Sequence, residues 1–410
     1  MAVIDKLVSE IDKRLQLDIR YYVRNSAYLI TVEGVTVLLG LASSIAFARL
    51  LPREIYGQYN YILSILGILA IFTLTGMNTA ITQAVARGYD GVLTQGTKVR
   101  IKWGFLGSIA AFSIGVYYYF NGSLPLAKCF MIAAPLLPFF YSFATFNPFL
   151  EGKKNFKEAS KYQGIIKFVS VSAVIAAVYY SRDIVWIFVT YFSSILLLQA
   201  YFYWTTAKSI DNKNRDEAAI PFGKHMSLMN VIPTVRQHFD KIIVGVLLGF
   251  SDLAIYTIAV IITEYVKRLV KIVASLIFPK VAVMEEKKAY AETKRRLVYP
   301  VIGFAAICGV GIALCPYIIP LLYSGKYLDS VFYAQLLFIS IMVVTPGTIL
   351  LQVLAAQKKV KSLYIVNTSF PLIEIVLLVL LIPRFGILGA VFAKLASRLY
   401  HTAITWLLTR

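Results

Sequence analysis

Cysteine, histidine and acidic residues are scarce in this chain. Of 410 residues, 3 are Cys, 3 are His and 21 are Asp or Glu. Cys129, Cys308 and Cys315 each lie inside an apolar segment, so they read as small core residues and signal neither a disulfide framework nor a metal site. No cofactor motif stands out either. Charge of either sign is thin: 15% of residues are charged and 59% are hydrophobic, with a mean hydropathy of +0.71. That balance excludes an ordinary soluble core and is the composition of a membrane protein. A cleavable signal peptide is not expected, because the first apolar segment is too long and follows a 25-residue charged stretch.

Long apolar runs fill the rest of the chain. A helix needs about 20 apolar residues to cross the hydrocarbon. Twelve segments qualify: 26–50, 57–79, 103–120, 126–149, 162–180, 184–206, 225–248, 254–278, 298–319, 331–355, 364–382 and 387–409. Gly and Pro are scattered through them, which favours helices over strands. The expected fold is an all-α polytopic membrane protein of about twelve transmembrane helices.

The net charge of +20 would suggest nucleic acid in a soluble protein. Its distribution points elsewhere. With the N-terminus cytoplasmic, the inner segments carry 27 Lys and Arg, and the outer turns carry only Arg49, Arg53, Arg182, Lys326 and Arg384. By the positive-inside rule this places a multi-pass protein in the cell (cytoplasmic or inner) membrane with both termini cytoplasmic, and no nucleic-acid partner is needed. Trp103, Trp186, Trp204 and Trp406 all fall near predicted interfaces, as an aromatic belt does.

Residues 1–25 place Ile4, Leu7, Val8, Ile11 and Leu15 at helical spacing among Lys and Arg. They read as a cytoplasmic amphipathic segment or a plain capping helix. The most polar stretch, 207–224, follows the sixth span and reads as a cytoplasmic linker between an N-lobe, 26–206, and a C-lobe, 225–410. A weak internal repeat, LLPREIYGQY (50–59) over LLGFSDLAIY (247–256), agrees with two six-helix lobes.

Several spans are interrupted by ionisable side chains, which in a membrane are a functional-site signal. At about 100° per residue, Glu264, Lys267, Arg268 and Lys271 share a face of the eighth span with Thr257. Lys394, Ser397, Arg398, His401 and Thr405 share one of the twelfth, and Asn367, Pro371 and Glu374 one of the eleventh. Ser26, Glu33, Thr36, Gly40 and Ser44 line the first; Thr75, Asn78, Thr79, Thr82 and Gln83 line the second. The seventh carries Arg236, Asp240 and Lys241. Neither lipid nor a dry core accepts such stripes, so they are expected to face a water-accessible central cavity between the halves. Arg236 comes out roughly 16 Å deep at 1.5 Å per residue. Deep cations (Arg236, Lys241, Lys267, Arg268, Lys271, Lys394, Arg398) outnumber deep acids (Glu33, Asp240, Glu264, Glu374), which points to an anionic cargo. The plainer reading is structural: lysines that snorkel, and turn-spaced pairs such as Arg236–Asp240 and Glu264–Arg268. His401 reads as a structural histidine rather than a proton carrier.

Three stretches resemble a known family. ARLLPREIYGQYNYI (48–62), with Glu54 and Gly57, is similar to the first outer turn of the oligosaccharide-lipid flippases of polysaccharide biosynthesis, in the multidrug/oligosaccharidyl-lipid/polysaccharide exporter superfamily. FDKIIVGVLLGFSDLAIYTIA (239–259) resembles their seventh-to-eighth helix stretch, with Asp240 in its place but Ala254 where Gly is common. IPRFGILGAVFAKLASRL (382–399), with Gly386, Gly389 and Ala390, resembles the start of their last helix. The resemblance implies two six-helix lobes, alternating access, and outward movement of a polyprenyl-diphosphate-linked oligosaccharide, with membrane lipids around it. Arg236, Lys267, Arg268, Lys271, Lys394 and Arg398 would meet the diphosphate, since Arg binds phosphate oxygens bidentately. Asn78 and Gln83 would face the sugars. Glu33, Asp240, Glu264 and Glu374 are candidates for a coupling H+ or Na+. One rival is a cation-coupled multidrug or metabolite antiporter of the same superfamily, against which the cationic excess argues. The other is a membrane glycan polymerase or ligase, for which outer turns of at most 11 residues leave little room.

Overall fold

The computed structural model describes residues 19–210 and 212–409, with side chains from residue 34 onward except those of 276, 279 and 280. Most of the segment 1–25 and the side chain of Glu33 therefore lie outside the described residues. All regular structure among the described residues is helical. In chain order the helices are α1 Ile19–Leu50, α2 Arg53–Leu69, α3 Met77–Ala86, α4 Val92–Phe120, α5 Leu124–Ser142, α6 Phe146–Gly152, α7 Phe156–Tyr180 and α8 Ile184–Lys208. They continue with α9 Ala219–Met229, α10 Val231–Leu248, α11 Phe250–Ala282, α12 Glu286–Arg296, α13 Val298–Tyr323, α14 Asp329–Ala356, α15 Val360–Phe385 and α16 Ile387–Leu408.

Eight stretches are long and apolar enough to cross a membrane: Arg53–Thr73, Val92–Phe120, Leu124–Gly152, Phe156–Tyr180, Ile184–Lys208, Glu286–Tyr323, Asp329–Ala356 and Val360–Phe385. The other four stretches counted in the sequence coincide with α1, α10, α11 and α16. Of α1, Gly34–Leu50 is apolar but shorter. The remaining three carry the interrupting charges. The chain is a multi-pass, all-α membrane protein in which length and composition alone mark eight spans.

Internal packing groups the chain into two units. Among the described residues, the first comprises 19–43, Phe72–Ser181 and Val185–Met229; the second comprises Ser44–Ile71, Arg182–Ile184 and 230–409. In the first, α4 packs along α5, and α3 packs against α6 and α9. Aromatic stacks tie it further: Phe140 on Phe192 and Tyr162 on Phe202, both with ring centroids 4.0 Å apart, a geometry that adds to simple burial. Asn155 starts α7, its side chain accepting from the Glu158 amide at 3.3 Å and donating to the Glu158 carboxylate at 2.6 Å, a reciprocal cap of the first turn.

In the second unit α11 packs on α2 and α14, α10 on α2 and α15, and α16 on α14 and α15. Gly57 permits the α2–α11 approach: a Cβ there would lie 1.8 Å from the Phe250 carbonyl oxygen. Gly386, at φ 58° and ψ −137°, turns the chain from α15 into α16 in a conformation open to glycine.

Two expected spans break into separate helices, while the fourth, 126–149, runs on through α5, a 3-10 turn at Phe143–Thr145 and α6. The second, 57–79, breaks after α2: a 3-10 turn runs Ala70–Thr73, Leu74 takes φ 54°, and α3 starts afresh at Met77. Thr75 thus leaves the stripe that Asn78, Thr79, Thr82 and Gln83 form on α3. The cause is local crowding at Gly76, whose amide donates to Ser227 Oγ at 3.0 Å and whose Cβ position would lie 2.3 Å from the Ser227 nitrogen. The seventh, 225–248, breaks at Asn230 between α9 and α10. Pro233 then sits in the first turn of α10, where a missing N–H costs nothing. Pro135, Pro138, Pro316, Pro346 and Pro371 lie within helices that continue through them.

Candidate functional site

In the second unit α10, α11, α15 and α16 bring charged residues into one cluster, to which α14 adds Ser340. Asp240 is 3% exposed, and its carboxylate is saturated. One oxygen accepts the Lys241 amide at 2.8 Å; the other accepts Tyr256 Oη at 2.8 Å and Lys394 Nζ at 2.6 Å. The Lys394 ammonium also lies 5.5 Å from the Tyr256 ring centroid, a cation–π contact. Arg236 donates to Glu374 Oε2 at 3.0 Å and stands 4.8 Å over the Phe370 ring. Ser397 donates to the same carboxylate oxygen at 3.4 Å. Glu264 takes Lys267 at 2.6 Å and Arg398 at 3.7 Å, and Arg398 donates to Ser340 Oγ.

Arg236 and Asp240, one turn apart, do not pair with each other; each reaches a different helix. Burial without a partner would cost each ion several kcal/mol, so the cross-helix pairs hold the cluster's geometry. Five cations (Arg236, Lys241, Lys267, Lys394, Arg398) meet three carboxylates, and among the described residues no carboxylate lies within ion-pair distance of Lys241. Lys394 and Arg398 form the floor, their side chains 9% and 6% exposed; Arg236, Lys267 and Glu264 form an accessible rim at 26%, 22% and 38%. An oxyanion arriving at these cations would leave the displaced carboxylate buried and in need of a proton or cation of its own.

His401 packs 4.8 Å from Phe370, and its Nδ1 has no hydrogen-bond partner among the described residues. Lys394, Ser397, Arg398, His401 and Thr405 all lie on the buried face of α16. Arg268 and Lys271 are exposed on α11, away from the floor. Of the eleventh-span stripe, Pro371 and Glu374 are buried and Asn367 is exposed.

The first unit holds the two uncharged candidates. Asn78 and Gln83 line a cavity of about 610 Å³ together with Thr79, Thr82, Asn147, Glu151 and Phe222. Thr82 Oγ1 donates to the Pro148 carbonyl at 3.0 Å and Asn147 to Glu151 at 2.7 Å. Arg100 donates to Asn78 Oδ1. Amides, hydroxyls, one carboxylate and one aromatic ring make a lining suited to a neutral polyhydroxylated ligand.

The polysaccharide biosynthesis protein family matches residues 22–285. The chain belongs to that family. A Shigella flexneri protein named for O-antigen transport is 23% identical over 429 residues, spanning 95% of this chain and 98% of its own. In fold, this polysaccharide biosynthesis protein is similar to lipid II flippase MurJ in an inward closed conformation, with a TM-score of 0.69, 14% identity and coverage of 93% of this chain and 87% of that one. It is also similar to a multidrug resistance MATE family transporter of the MOP superfamily in an inward-facing conformation, at 0.71 and 12%, covering 92% and 94%. The resemblance read from the sequence is thus shown for the family, and the fold is like that of these two solved membrane proteins.

The sequence stripes of this family member missed several groups. Tyr256 and Phe370 read as ordinary apolar positions, although both face cations. Ser340 sits on a span with no charged stripe. Arg100 counts in the sequence as a cytoplasmic loop charge, but it is only 2% exposed; its place on a helix with Asn78 within reach was not readable from charge counting. Glu151 and Phe222 lie beyond the apolar segments and carried no signal.

Proposed function

We propose that this chain is a flippase that moves a polyprenyl-diphosphate-linked oligosaccharide from the inner to the outer leaflet of the cytoplasmic membrane by alternating access, for cell-surface polysaccharide biosynthesis. The observation that carries this is the buried cluster in which Arg236, Lys241, Lys267, Lys394 and Arg398 outnumber Asp240, Glu264 and Glu374. A diphosphate needs cationic partners at membrane depth, and guanidinium groups meet its oxygens bidentately. Arg268 and Lys271, exposed on α11, would draw the head group inward. Asn78 and Gln83, in their cavity, would meet the sugars. An interior-negative potential favours outward passage of an anion by about 2.3 kcal/mol per charge per 100 mV.

The arrangement also supports a role for the carboxylates. Each of Asp240, Glu264 and Glu374 holds a cation that a diphosphate would need, and H+ or Na+ at the carboxylate would release it. Glu33 is a fourth candidate for that coupling. Twelve spans, lobes at 26–206 and 225–410 joined by 207–224, and cytoplasmic termini complete the reading.

Replacing Arg398 alone with Gln, which leaves Glu264 paired to Lys267 and Asp240 paired to Lys394, is expected to abolish surface display of the glycan while the protein stays at its normal level in the membrane. Undiminished display with a normal immunoblot overturns the assignment. The second reading, a cation-coupled drug or metabolite antiporter, takes its support from the buried Asp240 and Glu374 and the half-buried Glu264. It requires efflux of an organic cation such as ethidium from cells expressing the chain, and none is expected. Glycosyl transfer by the purified protein would instead establish a polymerase or ligase.

A further inference from the structure

A second cavity, of about 320 Å³, lies in the second unit away from the charged cluster. Val273, Ile277 and Val281 of α11, with Met284 just beyond its end, form one wall, and Ile349 of α14 another. Its mouth carries Arg296 and Glu292 from the last two turns of α12, with Tyr299 and Pro300 at the start of α13. The walls are preformed. Gln357 donates to the Val281 carbonyl at 2.8 Å, fixing the last turn of α11 to the end of α14. Glu286 pairs with Lys359 at 2.6 Å and Lys294 donates to the Thr409 carbonyl at 2.8 Å, which pins α12 at both ends. Ile277 packs against two buried clusters, one around Val353 and Leu354, the other around Ile349 and Leu350.

The surroundings of the mouth identify its solvent. Val283, Val298, Tyr299 and Ile302 are 87%, 49%, 74% and 61% exposed, an apolar surface that water would not favour and lipid would. Tyr299 has the amphipathic character of a residue at head-group level. Next to it α12 ends in Lys294, Arg295 and Arg296. The Arg296 guanidinium is tied to Glu292 by one nitrogen at 2.9 Å and is 55% exposed, so most of its five N–H groups remain open to a phosphate. An apolar slot under a basic head-group-level turn matches a lipid with one negative charge, as basic pockets between membrane helices do.

We propose that this cavity holds one fatty-acyl chain of an anionic phospholipid, whose phosphate rests on Arg296 and Arg295. The site is independent of the cargo reading: it uses none of the residues assigned to the diphosphate or the sugars.

The test is a titration of the purified full chain, in detergent, with dioleoyl-phosphatidylglycerol, dioleoyl-phosphatidylcholine and glycerol 3-phosphate, read by native mass spectrometry and thermal shift. Phosphatidylglycerol is expected to bind at one retained site and raise the melting temperature; the zwitterionic lipid and the chainless phosphate are not. Arg295→Gln with Arg296→Gln is expected to weaken phosphatidylglycerol by about 30-fold, from two basic contacts near the membrane surface. Ile277→Trp, which fills the slot, is expected to abolish retention. Should that variant fail to fold, the comparison of lipid with glycerol 3-phosphate on the unaltered chain still tests the role of the acyl chain. Equal binding of phosphatidylcholine, equal stabilisation by glycerol 3-phosphate, or unchanged phosphatidylglycerol binding in the double Gln variant overturns the proposal.

Discussion

Asp240 and Lys394 show what a single ionisable residue does in this fold. The carboxylate accepts from Lys394, Tyr256 and the Lys241 amide, and the pair joins α10 to α16. Removing one partner strands the other, which for a buried pair costs about 3–5 kcal/mol. Asp240→Asn is therefore expected to lower the thermal midpoint of the purified protein sharply. Adding Lys394→Met should recover most of the loss, because the stranded charge is then gone; a double variant no more stable than the single would mean that the pair is not the source of the effect. Helical angles alone predict that Lys394, Ser397, Arg398, His401 and Thr405 share a face, and all five are buried on α16. The same angles are silent on partners. Asp240 and Lys394 stand 154 positions apart, and periodicity reports which way a side chain points along its own helix, not which helix it meets. Hence Arg236 and Asp240 read as a turn-spaced pair and turn out to reach Glu374 and Lys394 instead.

The helices themselves were legible wherever an apolar run had a polar end. Breaks within such a run were not. IFTLTGM (71–77) is apolar enough to read as continuous helix, yet Leu74 sits in the left-handed region and the Ser227 backbone crowds Gly76. Crowding by a remote backbone leaves no trace in local hydropathy. The close α2–α11 crossing was equally invisible, though the glycine that allows it stands inside a motif picked out for its resemblance. Gly57→Val is expected to force the helices apart, since even a Cβ would lie 1.8 Å from the Phe250 oxygen. Overpacking of this kind costs roughly 1–3 kcal/mol and here involves backbone that cannot rotate away. A lower yield of monodisperse protein and a lower melting temperature are the readouts; an unchanged melt would show that α2 and α11 separate freely.

For the whole molecule, the asymmetry of Lys and Arg predicts one orientation, and the chain carries a convenient means of checking it. Its three cysteines are buried, so introduced thiols can be read against a low background. Arg182→Cys is expected to react with a membrane-impermeant maleimide on intact cells, and Lys213→Cys only after permeabilisation; the opposite pattern would invert the topology. The charged cluster also has a consequence for what the cell's abundant small anions can do. Chloride or a single phosphate arriving at Arg236 or Lys394 finds Glu374 or Asp240 already in contact, and gains too little to evict it. A carboxylate fixed in place by Tyr256 or Ser397 acts as a resident competitor. Only a ligand that offers adjoining anionic groups to several cations at once can displace such competitors together. On the proposed reading, discrimination between one phosphate and two would thereby be built into the protein's own acidic side chains rather than into the size of a hole.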